Sequence, residues 1–299
     1  MSSEPLLRVQ HLNKTFGKAG LWRRGPVVHA VRDLSFTLHA GETLALVGES
    51  GSGKSTVGRL LARLQDADSG HIDFAGQRIS GFNRRQLRPV RQDLQIIFQD
   101  PFSALNPRMR VADYVAEPFV VHGLHPQREA RAHHTAELLR QVGLDPALGN
   151  RLPHQFSGGQ RQRLCIARAL ALSPRLIIAD EPITALDVSI QAQIINLLQD
   201  IQARTGVALL FISHDLSMVR HLSQRVAVMN AGRIVELAST EALFARPRHP
   251  YTQALLSAVP LPDPRLERAR QRLSFDAARH PWPAQGALCE VAPDHFVFE

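Results

Sequence analysis

Gly48-Glu49-Ser50-Gly51-Ser52-Gly53-Lys54-Ser55 follows the apolar run Leu44-Ala45-Leu46-Val47 and leads into a helix-like stretch, Thr56 to Leu64. A strand feeding a glycine-rich turn that opens a helix is the context in which this spacing cradles phosphates. Gly48, Gly51 and Gly53 let the backbone curl until its amide hydrogens converge on an anion. The helix adds the positive end of its dipole. Lys54 has the reach to touch outer phosphates, Ser50 and Thr56 complete the phosphate-facing set, and the Ser55 hydroxyl suits magnesium. The motif names a nucleoside triphosphate site without saying what the energy drives.

The flanking chain predicts an α/β class. Leu34, Phe36 and Leu38 alternate with Ser35 and Thr37, the period of a half-buried strand. His71 to Phe74 and Leu94 to Phe98 predict further short strands, and Lys18 to Pro26 a hairpin loop. Residues 109 to 150 change character. Arg128 to Val142 has helical spacing, with Ala132, Ala136, Leu139 and Val142 on one side, and Gly143, Pro146 and Gly149 then punctuate the chain. From residue 157 helices and strands alternate: Arg161 to Leu172 helical, Leu176 to Ala179 a buried strand, Val188 to Ala203 helical, then strands at Val207 to Ile212 and Val226 to Met229. Such alternation implies a doubly wound, mainly parallel sheet. The division expected is a core over 5–257, with a helical insert at about 105–155, and an extension over 258–299 in which prolines accumulate (Pro260, Pro262, Pro264, Pro281, Pro283).

Composition bounds the function. The 299 residues are 44% hydrophobic and 21% charged, as in globular chains. No apolar run approaches the ~20 residues a membrane helix needs, and the N-terminus lacks a secretory pattern. Two cysteines, Cys165 and Cys289, argue against a disulfide framework. The net charge of +8 is carried almost wholly by arginine; Lys14, Lys18 and Lys54 are the only lysines. That charge suits either an anionic partner or arginine spread over the surface, and the absence of a long basic run favours the second reading. No nucleic acid is expected.

Further residues carry chemistry. Asp180-Glu181 ends the strand at 176–179, where an acid of an open α/β sheet would help hold magnesium. Glu181 would then orient or polarise the attacking water; the alternative is an Asp-Glu pair capping the next helix. Ser157-Gly158-Gly159-Gln160 opens a second helix with a second anion-binding amide cluster, or is a helix start with no ligand. Two phosphate-binding helix starts exceed the need of one nucleotide, so the second would serve a nucleotide held by another copy or a partner. His214 could hydrogen-bond a terminal phosphate or be structural. Gln99 could meet both magnesium and water, and Phe16 could stack on a purine or belong to the core.

In this order the elements resemble the nucleotide-binding subunit of ABC transporters over about residues 5 to 257. Gly48–Ser55 resembles the Walker A loop, Gln99 the Q-loop, Ser157–Gln160 the signature, and Leu176–Asp180 the Walker B strand with Glu181 as catalytic glutamate. Leu186-Asp187 resembles the D-loop and His214 the switch histidine. The resemblance implies ATP and Mg²⁺ as cofactors and Phe16 as the adenine-stacking aromatic. It also implies a P-loop NTPase core with an antiparallel β subdomain, and a head-to-tail pair in which Ser157–Gln160 of one subunit closes over ATP on the other.

A narrower resemblance rests on Gln99 to Arg108 and on His249-Pro250-Tyr251-Thr252-Gln253-Ala254-Leu255-Leu256, which look like the oligopeptide/dipeptide importer subfamily, nickel importers included. Leu21-Trp22-Arg23-Arg24 is similar to an insert in the second of the two ATPases of such importers. Implied partners are a sister ATP-binding subunit (a hetero- or homodimer), two transmembrane permease subunits and, indirectly, an external solute-binding protein. The implied place is peripheral, on the cytoplasmic face of the inner membrane. Phe156 departs from the usual signature leucine and Thr184 from the usual serine, and the tail's one cysteine excludes four-thiolate iron–sulfur ligation within this chain. Competing functions are an ATPase of a non-transport complex, such as a phosphonate-degrading assembly, and an export ATPase. The importer-like runs weigh against the last.

Overall fold

Apolar strands and amphipathic helices alternate in the computed structural model much as the periodicity predicts. The structure describes residues 4–17, 27–184, 186–259, 272–276, 283 and 286–299. The expected loop at 18–26, the Leu21–Arg24 insert and most of the tail prolines lie outside these residues. The chain divides into two units, residues 1–81 with 211–299 and residues 82–210.

The first unit opens with β1 (Leu7–Phe16), β2 (Val28–Leu38), β3 (Thr43–Val47), α1 (Lys54–Leu61), β4 (Ser69–Phe74) and β5 (Gln77–Arg78). The second contains α2 (Leu87–Asp93), β6 (Leu94–Ile97), α3 (Pro101–Ala104), α4 (Val111–His122), α5 (Arg128–Gln141), α6 (Gly158–Leu170), β7 (Leu176–Asp180) and α7 (Val188–Thr205). The chain returns to the first unit within β8 (Ala208–Ser213). It continues through α8 (Leu216–Leu222), β9 (Arg225–Asn230), β10 (Arg233–Ser239), α9 (Thr240–Ala245), α10 (Pro250–Ser257), β11 (Leu288–Ala292) and β12 (His295–Phe298).

In the first unit an antiparallel sheet runs β2-β1-β4-β5. Leu34, Phe36 and Leu38 are buried on β2, on the face their alternation assigns, and Val31 is buried with them. β3 pairs parallel with β9, Leu44 opposite Arg225 and Val47 opposite Val228. All five residues of β3 are buried, as expected of a strand covered on both faces. β9 continues antiparallel to β10, β10 to β12, and β12 to β11. A half-buried ion pair, Arg225 Nη1 to Glu42 at 2.9 Å, ties the start of β9 to the turn before β3.

The second unit pairs β6 parallel with β7, Leu94 opposite Leu176 and Ile97 opposite Ala179. α6 packs against β6, and α4 and α5 pack on α6 and on each other; α4 and α5 fall within residues 105–155. The face of α5 differs in part from the one its spacing suggests. Its buried residues are Thr135, Leu138 and Leu139, continued by Val142, whereas Ala132 is exposed. Leucines contribute far more apolar area than alanines, so they set which face turns inward.

The tail holds a feature the sequence reading did not find. β11 and β12 form a hairpin through Pro293-Asp294, with Ala292 opposite His295, and extend the edge of β10. Its key is a buried charge. Glu236 on β10 is 0% exposed and its carboxylate accepts from Arg248 N at 2.8 Å and His249 N at 2.9 Å. His295 Nε2 lies 2.7 Å from the same carboxylate. Opposite an ionised carboxylate, which only accepts, that ring nitrogen is the donor.

Candidate functional site

In the first unit, the fully buried β3 delivers the chain into the Gly48–Gly53 turn, and α1 starts at Lys54. Gly48 has φ +153° and Gly53 φ +108°. A Cβ on Gly48 would sit 2.1 Å from the Met229 carbonyl, and one on Gly53 2.1 Å from the Ala30 carbonyl. Only glycine fits either place. Gly51, at φ +82°, is exposed with open space around it. Lys54 is 3% exposed. Its Nζ donates to the Gly48 carbonyl at 2.7 Å and to the Glu49 carbonyl at 2.9 Å. Ser52 Oγ is buried without a hydrogen-bond partner among the described residues, an orphan donor the sequence reading passed over. Ser50 is exposed, while Ser55 and Thr56 are half-buried on the first turn of α1.

Two other residues of this unit complete the expected set. Phe16, at the end of β1, is 40% exposed, so it is not a core ring; Lys14 Nζ lies 5.6 Å from its centroid. His214 is exposed just beyond β8, and Asp215 caps α8 by accepting from Ser217 N at 2.9 Å.

In the second unit, β7 ends at Asp180, which is buried, and Glu181 comes next in the left-handed region at φ +46°. A non-glycine residue there is uncommon and marks a backbone held by its surroundings. Glu181 Oε2 accepts from Gln99 Nε2 at 3.0 Å and from Thr184 Oγ1 at 3.1 Å. The structure thus brings Gln99 and Glu181 together, as the chemistry of both requires. It also gives the Thr184 hydroxyl a task, orienting that carboxylate.

Ser157 and Gln160 form a reciprocal cap at the start of α6. Ser157 Oγ accepts from Gln160 N at 3.3 Å, and Gln160 Oε1 accepts from Ser157 N at 3.0 Å. The spacing Ser-x-x-Gln is itself the sequence sign of this cap. A Cβ on Gly159 would meet Ile190 Cγ2 at 2.5 Å, and one on Gly158 would meet Leu186 Cδ2 at 3.3 Å. The two glycines therefore let α6 approach the start of α7 closely. Ser157 stays exposed, as does Asp187, the residue preceding α7.

Two thiol and phenol groups lie away from these residues. Burial pushes the Cys165 thiol up to about 11, and burial likewise raises the Tyr114 phenol, whose hydroxyl is 3.7 Å from Cys165 Sγ. Cys165 is a core thiol, as its place inside a helix suggests.

The donor chemistry suits a magnesium nucleotide. The loop in the first unit offers a buried ammonium, an orphaned hydroxyl and a backbone that only glycine can follow. The second unit offers hard oxygen donors at Asp180 and the Gln99 amide, beside a carboxylate held by two hydrogen bonds.

A phosphate loop on a parallel strand, a strand ending in buried acids and a capped glycine pair opening a helix define a nucleotide-hydrolysing cassette. The chain belongs to the ABC transporter family, whose model matches residues 31–184. A second model, the oligopeptide/dipeptide transporter C-terminal region, matches residues 235–281. The chain is 50% identical, over 99% of its length and 96% of the relative's, to the oligopeptide transport ATP-binding protein OppF of Bacillus subtilis (strain 168). It is 54% identical, over 98% of its length and 84% of the relative's, to the probable peptide ABC transporter ATP-binding protein y4tS of Sinorhizobium fredii (strain NBRC 101917 / NGR234). Glutathione import ATP-binding protein GsiA of Escherichia coli (strain K12) is 53% identical, the match covering 99% of this chain and 49% of GsiA. Among solved structures, cbiO1 from Clostridium perfringens, part of the transporter complex cbiONQ, superposes with a TM-score of 0.72 at 25% identity, covering 89% of this chain and 99% of that one. The ATP-binding cassette MJ0796, solved as a dimer in a post-hydrolysis state with ADP and Pi, gives 0.70 at 26% identity, covering 78% and 98%. The chain is accordingly an ABC ATPase. Among the described residues no helix is long and apolar enough to cross a membrane.

Proposed function

We propose that this ATPase powers the import of peptides, or of a similar small solute, working on the cytoplasmic face of the inner membrane. It would act with a sister cassette, two permease subunits and an external solute-binding protein. The observation carrying this reading is the end-to-end likeness to an oligopeptide transport ATPase, 50% identical over 99% of the chain. The match of 235–281 to the oligopeptide/dipeptide C-terminal region supports the same substrate class.

The proposed roles come from the chemistry of each group. Lys54 and the loop amides from Gly48 to Thr56, with Ser50, Gly51 and Gly53 among them, hold the phosphates. Phe16 stacks on the adenine. Ser55, Gln99 and Asp180 would hold Mg²⁺, which would supply neutralisation of phosphate charge. Glu181 draws the proton from the attacking water while the water oxygen adds to the γ-phosphorus and the bond to the β-phosphate oxygen breaks, giving ADP and phosphate. Gln99 and Thr184 orient Glu181 for that step; their two hydrogen bonds to Oε2 support this. His214 donates to the γ-phosphate. Ser157, Gly158, Gly159, Gln160 and Asp187 complete the nucleotide site of a facing subunit, a role supported by the exposure of Ser157 and Asp187. Closure driven by ATP is then the step that moves the permeases.

The test is Glu181→Gln in the reconstituted transporter. ATP binding should persist while hydrolysis and solute uptake fall together by about 10²- to 10⁴-fold, the usual worth of a positioned base. Turnover at the wild-type rate would remove Glu181 from the chemistry. ATP hydrolysis indifferent to permeases and to peptide would point instead to a non-transport complex.

A further inference from the structure

The run His249–Leu256 marks a subfamily in the sequence without any chemistry attached to it. Its geometry supplies one. α10 begins with Pro250, and His249 Nδ1 accepts from Tyr251 N at 3.1 Å. The amides of Arg248 and His249 are already held by the buried Glu236 carboxylate at 2.8 and 2.9 Å. The first turn of α10 is therefore fixed to β10 before its side chains are considered.

Tyr251 projects from that fixed turn and is 3% exposed, with the Phe275 ring edge-on at 5.3 Å. Its hydroxyl accepts a hydrogen bond from Glu49 N at 3.1 Å. That amide belongs to the same peptide group as the Gly48 carbonyl, which accepts from Lys54 Nζ at 2.7 Å. A trans peptide is planar and stiff, its N–H and C=O pointing in opposite directions. Tyr251 grips one end of the plane and the Lys54 ammonium the other. Tilting the plane moves both contacts together. Burial pushes the Tyr251 phenol up to about 12, so the hydroxyl stays neutral at any working pH.

We propose that Tyr251 is a positioning residue for Lys54, acting through the Gly48–Glu49 peptide. The hydroxyl fixes the tilt of the carbonyl on which the ammonium rests, and so sets where the ammonium stands when phosphate arrives. The inference rests on the reading of Lys54 as the phosphate-binding lysine. It gives the His249–Leu256 run a place in nucleotide binding although it lies some two hundred residues along the chain from the loop.

Tyr251→Phe tests it, because the ring and its contact with Phe275 remain and only the hydroxyl goes. The Kd of the intact chain for ATP should rise about three- to tenfold, the scale of one lost neutral hydrogen bond. Leu243→Ala provides the comparison: it empties a buried site on α9 and should lower Tm at unchanged Kd. Lys54→Ala reports on the underlying reading and should abolish measurable binding. An unchanged Kd in Tyr251→Phe, or a rise matched by Leu243→Ala, overturns the role of Tyr251 when Lys54→Ala has lost binding. Wild-type affinity in Lys54→Ala overturns the phosphate-loop reading itself.

Discussion

Replacing Glu236 by glutamine changes one atom type at the centre of the tail's attachment. Oε1 accepts from Arg248 N and from His295 Nε2, and Oε2 from His249 N, at 2.7 to 2.9 Å. An amide offers one accepting oxygen and one donating nitrogen. In its better orientation the oxygen replaces Oε1 and keeps two partners. The nitrogen then faces the His249 N–H, donor against donor. One hydrogen bond to a charged group is lost, about 1.5–3 kcal/mol, and the repelled amide at a site with no exposure adds a part of about 1–3 kcal/mol. The net loss is about 2–4 kcal/mol. For cooperative unfolding of 299 residues that lowers Tm by roughly 3–6 °C. Thermal unfolding of Glu236→Gln measures the total, and amide hydrogen exchange locates it: residues 287–299 should lose protection before β9 does. A Tm within about 1 °C of wild type, with exchange in the hairpin unchanged, would refute the claim that this carboxylate holds the tail.

Two more outcomes are set by the geometry. Gly53→Ala should cost at least tenfold in ATP affinity, because its Cβ would meet the Ala30 carbonyl at 2.1 Å, while Gly51→Ala, with open space around it, should cost only about 1 kcal/mol of backbone strain; equal effects in a titration with ATP would contradict the account of the loop. Thiol labelling at pH 8 should modify the exposed Cys289 and spare Cys165, whose thiol is pushed up to about 11 by burial; mass spectrometry showing both labelled in the folded chain would place Cys165 outside the core.

The phosphate loop and the Ser157–Gln160 cap were legible because each is a local device whose spacing is its geometry. Three glycines with a lysine and a serine can be read without knowing anything distant, and so can a serine answered three residues later by glutamine. The buried strands β3, β7 and β8 were legible because unbroken apolar runs of that length have few other uses. The buried face of α5 was legible at Leu139 and Val142 and not at Ala132, because the alanines of its pattern carry too little area to choose a side. The hairpin β11–β12 escaped because its strands are only five and four residues long and lie just beyond a proline-rich stretch. Its one available signal was Glu236, a charge inside the apolar run Ile234 to Leu237 that demands buried partners from elsewhere. The hydroxyl of Tyr251 on the loop amide could not be read at all. Nothing in the spacing between residues 49 and 251 encodes a contact that only the packing of α10 against β10 creates.

Arginine cannot be acylated as lysine can, and this chain keeps lysine at only Lys14, Lys18 and Lys54. The last of these is shut in among the carbonyls of its own loop. A mild amine-directed reagent therefore meets very few candidates, and the extent of its reaction at a single tryptic peptide becomes a gauge of how far the loop has opened. Nucleotide occupancy can be followed in the unaltered molecule, with neither dye nor introduced cysteine.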